Sequence, residues 1–222
     1  MTRRTAGILA LASLPVLAAA FGGWATITVN DLPDHLVAGR PASLAFMVRQ
    51  HGVSPMTGLK PTVLARAGRE ETRATVAPGR KAGEYVASFT LPQAGDWTVS
   101  IASGFGKSNL KLLPIRAIDA GARAAAPGPA DRGMRLFVAK GCVGCHVHRV
   151  VASDDQPEIG PNLTGRRYQP DYLAKFLNDP RIGGPSRRSK DDPYMPDLDL
   201  SDAEISALIV FLNSEQRVEA KR

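Results

Sequence analysis

One change of rhythm divides this chain. From Ala25 to Arg116 apolar and polar residues alternate with period two, and turn-forming residues interrupt the alternation at short intervals. TITVND, ASLAFMVRQ, PTVLAR, TRATVAP, GEYVASFTL, DWTVSIAS and SNLKLLPI read as strands, separated by clusters such as HGVSPMTG, RAGREE and PGRKAG. In GEYVASFTL the residues Tyr85, Ala87, Phe89 and Leu91 share one face, and in DWTVSIAS so do Trp97, Val99 and Ile101. A strand with one apolar face must bury it against a second layer, so residues 26–116 are expected to form a sandwich of two antiparallel sheets rather than a barrel. Residues 117–130, AIDAGARAAAPGPA, lack a large apolar side chain after Ile118 and read as an inter-domain linker. From Asp131 the period becomes helical. DRGMRLFVAKG is expected to be capped by Asp131 and closed by its glycine. QPDYLAKFLND and LSDAEISALIVFLNSEQ follow, the last opening with Ser201 and Glu204 in capping-box spacing. The second domain, residues 131–222, is therefore expected to be all-α.

A chain of 222 residues is long enough for two modest domains, each with its own core. Its net charge of +7 comes from the leader and the first half, because residues 131–222 carry equal numbers of acidic and basic side chains. That excess is too diffuse for a nucleic-acid stripe, and nucleic acid is not expected as a partner; an acidic protein or an anionic lipid surface suits it better. Residues 1–25 combine Arg3 and Arg4 with the apolar stretch GILALASLPVLAAAF and small residues at Ala18-Ala19-Ala20 and Gly23-Trp24-Ala25. This is the pattern of a Sec-type export signal. The uncharged run from Thr5 to Ala25 is also about long enough to cross a bilayer, so a retained N-terminal anchor is the alternative. Either way the remainder is expected outside the cytoplasm, in the periplasm or at the outer face of the cytoplasmic membrane. No cysteine lies near the cleavage region, which argues against a lipoprotein anchor.

Both cysteines lie in KGCVGCHVHR, residues 140–149. A redox dithiol should follow a strand in a βαβ setting, and here a helix precedes it. A structural zinc site needs four ligands, and His146 and His148 are too crowded to close the tetrahedron. C-x-x-C-H matches the attachment signature for one covalent haem c, with Cys142 and Cys145 as thioether anchors and His146 as an axial ligand of the iron. A second axial ligand is offered by YMPDL, where Met195 lies 49 residues beyond His146 between Pro193 and Pro196. A thioether is soft and neutral, and raises the reduction potential relative to a second imidazole. His148 is expected at the surface near the haem edge. Arg166, Arg167 and Tyr168 are candidates for contact with a haem propionate, with a solvated loop the alternative. RRSKDD, residues 187–192, reads as a solvated, mixed-charge loop near the expected haem edge, where it could steer a partner.

From about Asp131 to Asn213 the sequence resembles the class I monohaem cytochromes c. Gly133 and Phe137 resemble the paired small and aromatic positions of that family's first helix, and the resemblance implies that Gly133 lets the last helix cross closely, with Leu208 and Phe211 against it. IGPNLTG resembles the segment whose proline, here Pro161, accepts the proximal histidine's ring N–H on its carbonyl. PDYLAKFLNDP resembles the helix before the distal loop. The implied function is that of an electron carrier with no catalytic residues of its own. It would exchange single electrons with a redox partner such as a membrane oxidase, reductase or dehydrogenase complex.

The first half resembles small immunoglobulin-like YtkA-type periplasmic domains, which implies a docking or assembly role. Cupredoxin copper centres need a cysteine thiolate, and both cysteines are committed elsewhere. His35, His51, Met47 and Met56 are the remaining copper donors, and lone residues of these types at turns argue against copper. Two alternatives stay open: a haem enzyme or gas sensor in which Met195 is labile, and a copper-handling accessory protein.

Overall fold

The computed structural model describes residues 23–151, 159–183 and 195–214. The export segment up to residue 22, the RRSKDD run and the chain beyond Ser214 lie outside the described residues. Eleven strands are described: β1 (Ala25–Val29), β2 (His35–Val37), β3 (Pro41–Gln50), β4 (Ser54–Pro55), β5 (Thr62–Ala67), β6 (Glu70–Arg73), β7 (Thr75–Pro78), β8 (Glu84–Thr90), β9 (Gly95–Ala102), β10 (Asn109–Lys111) and β11 (Ile115–Ile118). One sheet has the order β1-β3-β8-β7 with β4 on the end of β3; the other runs β2-β11-β9-β5-β6 with β10 beside β9.

The alternation works as read from the sequence. Tyr85, Ala87, Phe89 and Leu91 are all buried, as are Trp97, Val99 and Ile101, and the two apolar faces meet in one core. Tyr85 also uses its polar tip: the hydroxyl donates to the Met56 carbonyl at 2.9 Å and accepts from the Leu59 amide at 3.0 Å, tying the loop after β4 to the core. Two expected single strands are each divided. TRATVAP breaks at Ala74, so that β6 joins the second sheet and β7 the first. SNLKLLPI breaks before Pro114, which has no amide to donate, and its halves β10 and β11 pair with successive parts of β9. The short β2 lies parallel to β11, against the expectation of wholly antiparallel sheets; three residues are too few to display a period.

The second half forms α1 (Pro129–Ala139), α2 (Pro170–Asn178) and α3 (Asp202–Asn213). Asp131 is not the cap of α1. The helix starts two residues earlier at Pro129, whose fixed φ suits a first turn, and Asp131 sits inside that turn, paired with Arg135 at 2.9 Å. Ser201 does cap α3: its hydroxyl accepts from the Glu204 amide and the Glu204 carboxylate accepts from the Ser201 amide, a complete capping box. Helices α1 and α3 cross at Gly133. A Cβ there would collide with the Ala207 carbonyl and lie 2.6 Å from Phe211 Cβ, so only glycine permits the approach. Phe137 and Phe211 meet beside the crossing with ring centroids 5.6 Å apart.

The two halves touch, and their buried apolar residues form one contiguous cluster. In β1 Ile27 and Val29 are buried, and so are Thr26 and Thr28 on the opposite side of the strand. Thr26 pairs with Arg49 and Thr28 with Met47 across the β1–β3 ladder, so these four share the outer face of the sheet. Against this region comes the end of α1. Lys140, 2% exposed, donates from Nζ to the Asn30 carbonyl at 2.7 Å and pairs with Glu204 Oε1 at 2.7 Å, joining sandwich, α1 and α3 at one point. Arg132 pairs with Asp34 at 2.9 Å, and Arg135 donates to the Pro114 carbonyl at 2.5 Å.

Candidate haem-attachment site

The attachment segment is placed by the way α1 ends. Lys140 closes the helix, and Gly141 adopts a left-handed conformation, φ 76°, that turns the chain back. A single 3-10 turn over Cys142–Gly144 follows, and both the Cys145 and His146 amides donate to the Cys142 carbonyl, at 3.1 and 2.9 Å. One tight turn therefore carries Cys142, Cys145 and His146. Both thiols are free and partly buried. Burial pushes the Cys142 thiol up to about 12, with the neighbouring Cys145 adding to the effect, and burial also raises Cys145. Neither thiol has the lowered pKa that marks a redox-active dithiol.

The segment Gly160–Thr164 packs alongside and orients the histidine. Gly160 donates to the Cys145 carbonyl at 2.7 Å, Leu163 to the Val147 carbonyl at 2.9 Å, and Arg149 to Thr164 Oγ1 at 3.0 Å. His146 Nδ1 lies 3.0 Å from the Pro161 carbonyl. A carbonyl only accepts, so Nδ1 carries the proton and the Nε2 lone pair is left free to bind a metal. Burial lowers the His146 pKa, partly offset by the bond to Pro161, and favours the neutral imidazole that a metal requires. Gly160 was not singled out in the sequence, yet a Cβ there would lie 2.6 Å from both Cε1 and Nδ1 of His146 and 3.0 Å from the Cys145 carbonyl. Its place in IGPNLTG was the available signal.

His148 corrects an expectation. It is buried, not at the surface: its ring packs 4.7 Å from Phe211 and 5.9 Å from Phe137, between the crossing helices. Its Nδ1 is buried without a hydrogen-bond partner among the described residues. A backbone bridge pairs His148 with Val151 beside this packing, and no pattern in so short a segment announces it.

Met195 lies half-buried against the core in the loop that leads to α3. Pro196 follows it onto the sandwich, Leu198 is buried, and Asp197 accepts from the Asp199 amide at 3.0 Å. Tyr168 is fixed through its backbone, which exchanges two hydrogen bonds with the Asn213 side chain at 2.8 and 3.0 Å. Burial raises the Tyr168 phenol, and Arg166 beside it hydrogen-bonds to it. The structure thus brings Cys142, Cys145, His146 and Pro161 into direct contact. Arg166 and Tyr168 share the loop before α2, and Met195 lies in the loop before α3.

Of the copper donors, Met47 is buried in β3, Met56 packs on the core after β4, His35 is exposed in β2, and His51 lies tilted against Trp24 with ring centroids 5.5 Å apart. No group of three or more His, Cys, Asp or Glu side chains able to hold a metal ion occurs among the described residues. None of the helices of the described residues is long and apolar enough to cross a membrane.

The donor set fits a covalent haem: two free thiols on one turn, an imidazole with Nε2 available, and a glycine where a side chain would displace that imidazole. Comparison with known proteins gives three results. Among solved structures, the surface layer protein SbsC, domains 1–6, aligns at 21% identity and TM-score 0.35, covering 45% of this chain and 13% of that one. SbsC domains 4 and 5 align at 20% and 0.34, covering 42% and 51%, and the Lin-41 filamin domain at 18% and 0.29, covering 45% and 86%. The curated proteins contain no match. Residues 130–216 match the family model for Cytochrome c, and that match, spanning the segment whose cysteines and histidine are so arranged, shows that the C-terminal part of this chain is a cytochrome c domain with the covalent haem c such a domain implies.

Proposed function

We propose that this protein is an exported monohaem c-type cytochrome that passes single electrons to or from a respiratory or dehydrogenase partner, with the β-sandwich serving in docking or assembly. The observation that carries the reading is the hydrogen bond from His146 Nδ1 to the Pro161 carbonyl, which aims the other ring nitrogen away as a ligand in its neutral form. Haem held by Cys142 and Cys145 supplies a one-electron ferric–ferrous couple. His146 and Met195 would hold its iron, and an iron so held by two side chains would offer no position for substrate, which favours electron transfer over catalysis. Arg166 could pair with a haem propionate and the neutral Tyr168 hydroxyl donate to one. A single C-x-x-C-H in the sequence supports one haem per chain. The leader supports delivery to the periplasm or the outer face of the membrane.

The test is the visible spectrum of the ferric protein matured with haem, in which a weak near-red band reports methionine sulfur on ferric iron. The band is expected in the native protein and absent in Met195→Ala, with a lowered reduction potential and carbon monoxide binding to the ferrous form of the variant. A native protein without the band that binds carbon monoxide unaided would instead make the enzyme or gas-sensor reading the one to pursue.

A further inference from the structure

Both loops that would carry axial ligands rest on one strip of the sandwich. Gly141, which launches the turn bearing Cys142 and His146, lies against β1: a Cβ on it would be 2.7 Å from the Ile27 carbonyl and 2.9 Å from Thr26 Cγ2. On the other side, Pro196, next to Met195, lies against the turn after β3. A Cβ on Gly52 would be 2.9 Å from Pro196 Cγ and 3.4 Å from Thr26 Oγ1. Thr26 therefore stands between the two loops.

The turn beneath Pro196 is stiff. His51 and Gly52 both have positive φ, 52° and 76°, with Gly52 and Val53 donating back to the Arg49 and Gln50 carbonyls. This is the geometry of a type I′ hairpin turn. Trp24 braces it, its ring tilted against that of His51 with centroids 5.5 Å apart and its carbonyl accepting the His51 amide at 3.1 Å. Charge reinforces shape. Arg49, the cross-strand partner of Thr26, is partly desolvated, which lowers its pKa, while Asp199 and Asp197 of the Met195 loop act on it in the opposite direction. Its Nη1 is buried without a hydrogen-bond partner among the described residues. Lys81, also from the sandwich, lies 4.0 Å from Asp199.

We propose that the β-sandwich is an intramolecular clamp on the Met195 loop, with Gly52 and Arg49 as positioning residues that hold the methionine sulfur in place. This rests on the reading of Met195 as an axial ligand. A loop that opens exposes the position Met195 occupies, so the apparent affinity of an external ligand rises in proportion to the open fraction. The clamp thereby governs how closed the site is, without itself contacting the ligand.

The experiment titrates the ferric, haem-loaded full-length protein with imidazole, following loss of the near-red band. Gly52→Ala pushes a methyl into Pro196, whereas Gly68→Ala imposes the same kind of positive-φ strain, φ 59°, with nothing within 4 Å of the new carbon. Gly52→Ala is expected to raise apparent imidazole affinity about tenfold, and Gly68→Ala to change it by less than about twofold. Arg49→Ala removes the solvent-screened attraction of its cation for the Asp199 and Asp197 carboxylates, worth up to about 1 kcal/mol, so a rise of up to about fivefold is expected, with Arg49→Lys restoring most of it. Urea unfolding followed by far-ultraviolet circular dichroism reports overall stability; a purely structural role would shift that midpoint in Gly52→Ala and Gly68→Ala alike and leave imidazole affinity level. If the native protein shows the band and Gly52→Ala and Arg49→Ala bind imidazole as it does, the clamp is wrong and the ligand assignment stands. Should the native protein lack the band, the ligand assignment fails and the clamp with it. If Gly52→Ala cannot be produced folded, Arg49→Ala against Arg49→Lys decides alone.

Discussion

Lys140 offers the sharpest test of how the halves are joined. Its ammonium is almost wholly enclosed and has two short partners, the Asn30 carbonyl and Glu204 Oε1, each at 2.7 Å. In Lys140→Met the stem still fills its channel, but the Glu204 carboxylate, only 12% exposed, loses its counter-charge. Removing one partner of a buried pair typically costs about 3–5 kcal/mol. Glu204 keeps part of its compensation, because its other oxygen accepts the Ser201 amide at the positive end of α3. The loss is therefore expected near the lower bound, about 3 kcal/mol. Glu204→Gln should cost less, about 1–2 kcal/mol, because glutamine can still complete the capping box and Lys140 retains Asn30. Urea unfolding of the two single variants and of the double variant gives the coupling. The double variant should be less damaged than the sum of the singles by at least about 1 kcal/mol. A Lys140→Met loss below about 1 kcal/mol, or strictly additive losses, would refute the account of Lys140 as the pin between sandwich and helices.

Two further variants test the site and the sandwich. Gly160→Ala directs a methyl at the His146 ring and the Cys145 carbonyl, neither of which has room to yield, so a loss of about 1–3 kcal/mol in the urea unfolding of the haem-loaded protein is expected; unchanged stability would mean that the imidazole is not held against Gly160. Glu84 accepts the Lys81 and Arg80 amides and the Asn30 side chain, and these bonds, Lys81 first, lower its folded pKa. Its stabilising contribution is then complete above the unfolded carboxylate value of about 4.3 and lost as pH falls through the lower folded value. After allowance for solvent screening, Glu84→Gln should be less stable than the native protein by up to about 1 kcal/mol at pH 7 and no less stable near pH 2; a gap that persists at pH 2 contradicts this.

What the sequence displayed was whatever depends on near neighbours. The inward face of β8 is legible because Tyr85, Ala87, Phe89 and Leu91 repeat with the pleat, and Cys142, Cys145 and His146 are legible because one turn of backbone brings them together. Ser201 and Glu204 announce their cap for the same reason. The start of α1 was misread where two local signals compete, Asp131 as a cap against Pro129 as a first residue, and the proline prevails because its φ is already helical. His148 was misread because its burial depends on Phe137 and Phe211, which only the crossing at Gly133 brings to it.

The least legible feature is the one that relates the two halves. TITV presents a polar face of two threonines, and in an isolated sandwich that face would be wet. It is buried here because Gly141 closes over Thr26. Thr26 and Thr28 lie opposite Arg49 and Met47, a mixed surface that no alternation rule marks as a contact. Lys140 likewise looks like any basic residue at a helix end until Asn30 and Glu204 surround it. Polar partners of this kind fix the docked register by directed hydrogen bonds and charge in addition to the apolar area the halves share. That is the property expected of a surface against which both the attachment turn and the Met195 loop pack.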